Sequence, residues 1–148
     1  MLVKRFRNII DSERIKNVDD FLISCEKSLP NIFKFDDRLA YANKLSNLAD
    51  GIVAINDNQW VGVCLGYFND NITKQAYISI ICSLEFEKNK GLGTILHDSF
   101  CDLSRRNGME SICLQVLKDN QRALKFYTKM GYVISADHEK KWLLKKVF

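Results

Sequence analysis

The sequence predicts a mixed α/β fold: a mostly antiparallel central sheet with one parallel strand–helix–strand crossover and flanking helices. Three observations carry this expectation. Two stretches with helical apolar spacing give way near residue 50 to continuous or alternating apolar runs. Three such runs follow one another over short polar connections, which makes an antiparallel meander. From residue 88 the order becomes helix, strand, helix, strand, strand. The third run and the strand after it are thus joined through a helix, as a right-handed parallel crossover requires.

Each element has its own signal. Leu2–Ile9 reads as a short first strand. Asp11 or Ser12 caps a helix with Ile15, Val18, Leu22 and Cys25 at helical spacing, ending before Pro30. A second helix starts from Asp36 or Asp37, with Leu39, Ala42, Leu45 and Leu48 or Ala49 in one stripe. Gly51–Ile55 and Trp60–Phe68 are strands joined by Asn56-Asp57-Asn58-Gln59, a hairpin connection. After the polar turn Asn69–Lys74, Gln75–Cys82 is a third strand. Gly91–Asn107 is the most regular helix, with Leu92, Ile95, Leu96, Phe100 and Leu103 on one face and Gly108 placed to end it. Ser111–Leu117 is the continuous apolar run of a strand covered on both faces. Asn120–Met130 is a helix stopped by Gly131, and Tyr132–Ser135 and Lys141–Val147 are closing strands.

Composition narrows the function. A chain of 148 residues with 47% hydrophobic and 27% charged residues fits one ordered domain over 1–148, without a linker or repeat. The net charge of +4 comes from 22 basic and 18 acidic residues interleaved along the chain, which argues against a nucleic-acid groove and permits one local anion site. Five cysteines, Cys25, Cys64, Cys82, Cys101 and Cys113, include no CxxC pair, so neither a zinc site nor any other metal centre is expected. With no secretion signal and no membrane-length apolar run, the expectation is a cytoplasmic protein with reduced thiols, acting as a monomer or homodimer away from membranes.

The segment that carries chemistry runs from Ile80 to Thr94. A strand ends, a short polar loop with Lys88 and Lys90 follows, and Gly91-Leu92-Gly93 opens an amphipathic helix. Backbone N–H groups at a helix start favour a phosphate, and glycines allow it to approach closely. Two glycines at a helix start also serve tight packing alone. The segment is not a P-loop, since no Gly-Lys-Ser/Thr follows at the required spacing, and it lacks the third glycine of a dinucleotide fingerprint. A second segment, Gln115–Tyr132, runs strand, loop, short helix, glycine, strand.

Together the two segments resemble the GCN5-related N-acetyltransferase (GNAT) family. Lys88-Asn89-Lys90-Gly91-Leu92-Gly93 stands where that family has its (Arg/Gln)-x-x-Gly-x-(Gly/Ala) pyrophosphate loop. Asn120, Ala123, Phe126-Tyr127 and Gly131-Tyr132 match its second motif. The resemblance implies the GNAT-like sheet described above, an acetyl-CoA cosubstrate and direct acetyl transfer to an amine. It also implies roles. The strand ending at Ile81, Cys82 and Ser83 would splay from its neighbour and hydrogen-bond the pantetheine arm and acetyl carbonyl. N–H groups from Asn89 to Thr94 would cradle the pyrophosphate, with Lys88 and Lys90 adding charge. Asn120 would contact the cosubstrate, and Tyr127 would be the catalytic acid for the departing thiolate. Departures are Lys88 for the usual Arg or Gln, Asn89 at a position often glycine, and Glu85 and Glu87 beside an anion site.

Several residues have plainer readings. Tyr127 alone reads equally well as a core aromatic, and Cys82 as a small strand residue rather than a nucleophile. His97 reads as surface or satisfied core, and His138 as a turn residue between the last two strands. Asp70, Tyr77, Ser79, Glu85 and His138 are all candidate general bases, and none is singled out. The acceptor expected is a small-molecule amine. Residues 67–77 and the chain length look like acetyltransferases of bacterial surface-polysaccharide synthesis, which points to an amino sugar. Tyr41, Tyr67 and Tyr77 are available to such a ligand, and the closing connection Ala136–Lys140 is short. The rival classes are a protein lysine or N-terminal acetyltransferase and a non-catalytic acetyl-CoA-binding module.

Overall fold

A computed structural model describes residues 1–84 and 91–148. Among these, seven strands form one sheet in the order β1-β2-β3-β4-β5-β7-β6, comprising β1 (Leu2–Arg5), β2 (Asp50–Asn56), β3 (Gln59–Tyr67), β4 (Gln75–Ser83), β5 (Ser111–Leu117), β6 (Val133–His138) and β7 (Lys141–Val147). Only β4 and β5 pair in parallel; every other ladder is antiparallel. The helices are α1 (Asp11–Ser28), α2 (Arg38–Leu48), α3 (Leu92–Arg106) and α4 (Gln121–Lys129). No helix among the described residues is long and apolar enough to cross a membrane.

The sheet separates two cores. Under α1 and α2 lie Val18, Phe21, Leu22, Cys25 and Leu45 with Val53, Val63, Leu65 and Ile80 of the sheet. Under α3 and α4 lie Leu92, Leu96, Phe100, Leu103 and Tyr127 with Val61, Cys64, Ile112 and Leu114. The β2–β3 turn places Asp57 at φ 50 and Asn58 at φ 63, the doubly left-handed geometry that matches strand twist in a tight hairpin.

Several boundaries differ from the sequence reading, each for a tertiary reason. The first strand stops at Arg5 and a short 3-10 turn, Phe6–Asn8, follows. That turn sinks Phe6 into the core, edge-on to Trp60 at 6.1 Å. Neither Asp11 nor Ser12 caps α1; the cap is Ile10, which offers no side-chain bond. The Asp11 carboxylate instead accepts from Arg14, whose buried guanidinium also donates to the carbonyls of Ile9 and Ser46. Arg14 takes the place on the buried stripe expected for Ile15, which is exposed. Asp37 does cap α2, accepting from the Ala40 N–H at 3.0 Å, but Leu39 and Leu48 face solvent. On α3 it is Ile95 that is exposed and His97 that is fully buried. β6 runs past Ser135 to His138, leaving only Glu139 and Lys140 as the turn to β7. Asp137 holds this turn tight by accepting from the Lys118 ammonium and the Glu139 N–H.

Candidate active site

The site begins with a failure of strand pairing. β4 and β5 are in register only at Gln75–Ser111, Ala76–Ile112 and Tyr77–Cys113, although β4 continues to Ser83 and β5 to Leu117. Beyond Tyr77 the two strands diverge. A bulge helps to part them: Leu65 of β3 pairs with Ile80 and Gly66 with Ile78, which leaves Ser79 as an extra residue in β4. A bulge bends its strand and re-aims a side chain. Here the Ser79 hydroxyl meets that of Tyr41 at 2.7 Å.

The gap widens into a cleft of about 920 Å³, large enough for an extended organic ligand. Its walls are Ile78–Ser83 of β4 and Leu114–Leu117 of β5, and backbone groups there that no longer pair across the gap are available to a ligand. Gly91 to Thr94 close one end, where α3 begins. Gly91 sits at φ 73, in the left-handed region that favours glycine, and supplies no side-chain cap. Among the described residues the first intrahelical bond is Ile95 N–H to the Gly91 carbonyl, and the N–H groups that open a helix suit an anion. Among the described residues a Cβ on Gly93 would meet only the Phe126 ring, at 3.8 Å, so α4 lies directly beside this turn.

The structure thus brings Ile81, Cys82, Ser83, Gly91, Leu92, Gly93, Thr94, Asn120 and Tyr127 around one cleft. Lys88, Asn89 and Lys90 lie outside the described residues, as does Glu85. The Asn120 side-chain oxygen accepts from the Ala123 N–H at 3.2 Å and caps α4, so this residue sets the helix that carries Tyr127. Tyr127 is 6% exposed, and burial pushes its phenol well above the ordinary value. It therefore stays protonated through the neutral range, as a proton donor must. Cys82 belongs to the core beneath α1, its sulfur 3.4 Å from that of Cys25.

On the other side the α1–α2 loop and the first turn of α2 contribute an aromatic lobe, of which the sequence reading named only Tyr41. Phe33, Phe35 and Tyr41 line the cleft with successive ring centroids 6.0 and 5.4 Å apart. The signal was present: alternating phenylalanines between Pro30 and Asp37 are out of place in a solvated loop. Burial pushes the Tyr41 phenol up to about 12. Gln115 and Lys141 also line the cleft, and the Gln115 amide contacts His138 Nδ1 at 2.8 Å. His138 is therefore the last residue of β6 rather than a turn residue. Of the three tyrosines expected near the acceptor, only Tyr41 lines the cleft; Tyr67 and Tyr77 do not, and the Tyr67 hydroxyl is buried without a partner among the described residues. Among the candidate bases, Asp70 is spent on its own turn, accepting from Ile72 and Thr73, whereas Ser79 borders the cleft.

His97 belongs to the core behind this site. Its Nε2 lies 2.7 Å from the Tyr132 hydroxyl and its Nδ1 3.2 Å from Asp98. Burial pushes the imidazole below its ordinary value, opposed by Asp98. The unfolded chain then binds a proton that the folded protein refuses. This contribution to stability is intact above about pH 6.5 and is lost as pH falls from there toward the folded value. Urea midpoints should drop with acid over that window in the wild type and drop less in His97→Gln; parallel profiles would assign the acid sensitivity to other groups.

Residues 17–132 match the sequence profile of the Acetyltransferase (GNAT) family. N-alpha-acetyltransferase 30 of Schizosaccharomyces pombe is 24% identical over 82 residues, 54% of this chain; the match spans 55% of that protein, about half its length. Among solved structures, a GNAT-family acetyltransferase from Desulfovibrio desulfuricans superposes with a TM-score of 0.80 at 13% identity, covering 99% of this chain and 98% of the other. An aminoglycoside 6'-acetyltransferase type Ii superposes with a TM-score of 0.78 at 15% identity, covering 99% and 97%. These likenesses are of fold.

Proposed function

The chain belongs to the GNAT family of acetyltransferases, and from that premise we propose that it moves the acetyl group of acetyl-CoA onto a primary amine of a small molecule. The observation that carries this reading is the wedge between β4 and β5, with an anion-accepting helix start at one end and an aromatic lobe at the other. The residues fit an extended thioester with a pyrophosphate. N–H groups of the first turn of α3 hold the pyrophosphate, and the parted backbones of β4 and β5 hold the pantetheine arm. The thioester supplies the acetyl group as electrophile. Tyr127, protonated and buried, donates its proton to the thiolate as the amine displaces it, and the proton shed by the acylated nitrogen restores the phenol by way of solvent.

The acceptor enters beside Phe33, Phe35 and Tyr41, whose rings suit the face of a sugar-like ligand. Among the described residues the charges lining this side are mixed, Lys34 and Lys141 against Asp36 and Asp37, and form no acidic cluster to steer a lysine-rich protein. The likeness to a yeast N-alpha-acetyltransferase favours a second reading, acetylation of a peptide N-terminus. Amino sugars (free and nucleotide-linked), polyamines and peptides, each supplied with labelled acetyl-CoA, separate the two. Label is expected on a small amine; efficient label on peptides with the small amines inert would replace the first reading by the second.

A further inference from the structure

We propose that His97 and Tyr132 are positioning residues for Tyr127, a role that rests on the reading of Tyr127 as the acid. The observation is a closed ring of four aromatic side chains. Tyr127 packs edge-on against Tyr132 and Phe126, each at 5.3 Å, and His97 packs edge-on against the same two residues, at 5.4 and 6.2 Å. One hydrogen bond ties the ring together, His97 Nε2 to the Tyr132 hydroxyl at 2.7 Å, with His97 fully buried.

The direction of that bond follows from the groups. The Asp98 carboxylate is an acceptor only, so His97 Nδ1 carries the proton facing it, and Nε2 of the neutral ring accepts from Tyr132. Asp98 sets the tautomer, His97 holds the Tyr132 hydroxyl, and the Tyr132 ring is one wall against Tyr127. Edge-to-face contacts alone give only a shallow preference for orientation. A short buried hydrogen bond fixes the end of the Tyr132 ring that stacking leaves free to swing. An apolar pair would fill this volume without the desolvation that a histidine and a phenol incur, so the polar pair contributes orientation rather than burial. Its anchor is also apt. His97 stands one turn beyond Thr94 on α3, and Gly93 abuts Phe126, so the helix that receives the pyrophosphate also holds the ring around the acid.

The test uses Tyr132→Phe, which keeps the ring, His97→Leu, which removes the acceptor, and His97→Gln, whose side-chain oxygen restores one. Expected is a fall in kcat of about tenfold in the first two, a part of the roughly hundredfold due to a positioned acid. KM for acetyl-CoA should stay unchanged, and His97→Gln should recover most of the rate. A second readout needs no substrate. In ligand-free protein carrying tyrosine labelled with ¹³C at Cζ, the Tyr127 resonance, assigned by its loss in Tyr127→Phe, should move in Tyr132→Phe and His97→Leu and return in His97→Gln. If His97→Leu fails to fold, Tyr132→Phe alone decides. An unmoved resonance with unchanged kcat in folded Tyr132→Phe overturns the positioning role. A slow Tyr127→Phe beside a normal Tyr132→Phe sinks this inference alone, whereas a normal Tyr127→Phe sinks the acid reading on which it rests.

Discussion

Tyr127→Phe is expected to lower kcat by about a hundredfold or more while leaving affinity for acetyl-CoA nearly intact. The substitution keeps the ring that packs between Phe126 and Tyr132 and removes only the hydroxyl. Loss of stability should therefore be small. The magnitude follows from the chemistry of the leaving group. A thiol in water ionises near pH 8.5, but a thiolate released into this half-apolar cleft lacks the water that would stabilise it, so a proton delivered as the bond breaks lowers the barrier. Burial holds the Tyr127 phenol above its ordinary value. The acid form is thus retained from neutral pH to at least about pH 10, and no decline of kcat in that range should trace to its ionisation. Single-turnover kinetics with a chemistry-limited amine is the appropriate measurement, because slow product release would hide the effect. A single-turnover rate equal to wild type would make Tyr127 a packing residue.

Gly93→Leu should abolish cosubstrate binding in a protein at least as stable as the wild type. The two effects have opposite signs and separate causes. Gly93 lies within α3, and among the described residues a Cβ there meets only the Phe126 ring, at an ordinary 3.8 Å, which leaves room for a side chain. Replacing a helical glycine contributes up to about 1 kcal/mol. The rest of the leucine, however, projects into the cleft that Gly93 lines, where an anion must come close to the backbone. Wild-type protein with acetyl-CoA at about a hundred times Kd should gain about 2.7 kcal/mol, or roughly 5–10 °C in Tm for a chain of this size. The variant should show no such gain. Gly91 is a poorer probe, since at φ 73 any side chain adds backbone strain of about 1–2 kcal/mol and confounds binding with stability. Undiminished thermal stabilisation of Gly93→Leu by acetyl-CoA would move the pyrophosphate away from this turn.

Local patterns along the chain determined a good deal. The change from helical to strand period near residue 50, the polar turns and the Gly-x-Gly at a helix start led to the element order, the single parallel crossover and the residues that gather at the cleft. These are legible because period, turn chemistry and caps depend on neighbours in sequence. Tertiary structure decided the rest. Arg14 displaced Ile15 from the buried stripe of α1 because the distant Ser46 carbonyl joins the nearby Ile9 carbonyl and Asp11 in satisfying its guanidinium. His97 entered the core in place of the exposed Ile95 because Tyr132, 35 residues on, supplies the hydrogen bond that makes its burial tolerable. The bulge at Ser79 and the parting of β4 from β5 depend on pairing between strands, which no window of one strand records. Phe33 and Phe35 of the α1–α2 loop and Tyr41 of α2 come together at the cleft only in the folded chain. Order along the chain follows from contacts a few residues apart; the shape of the cleft follows from partners that only folding brings within reach.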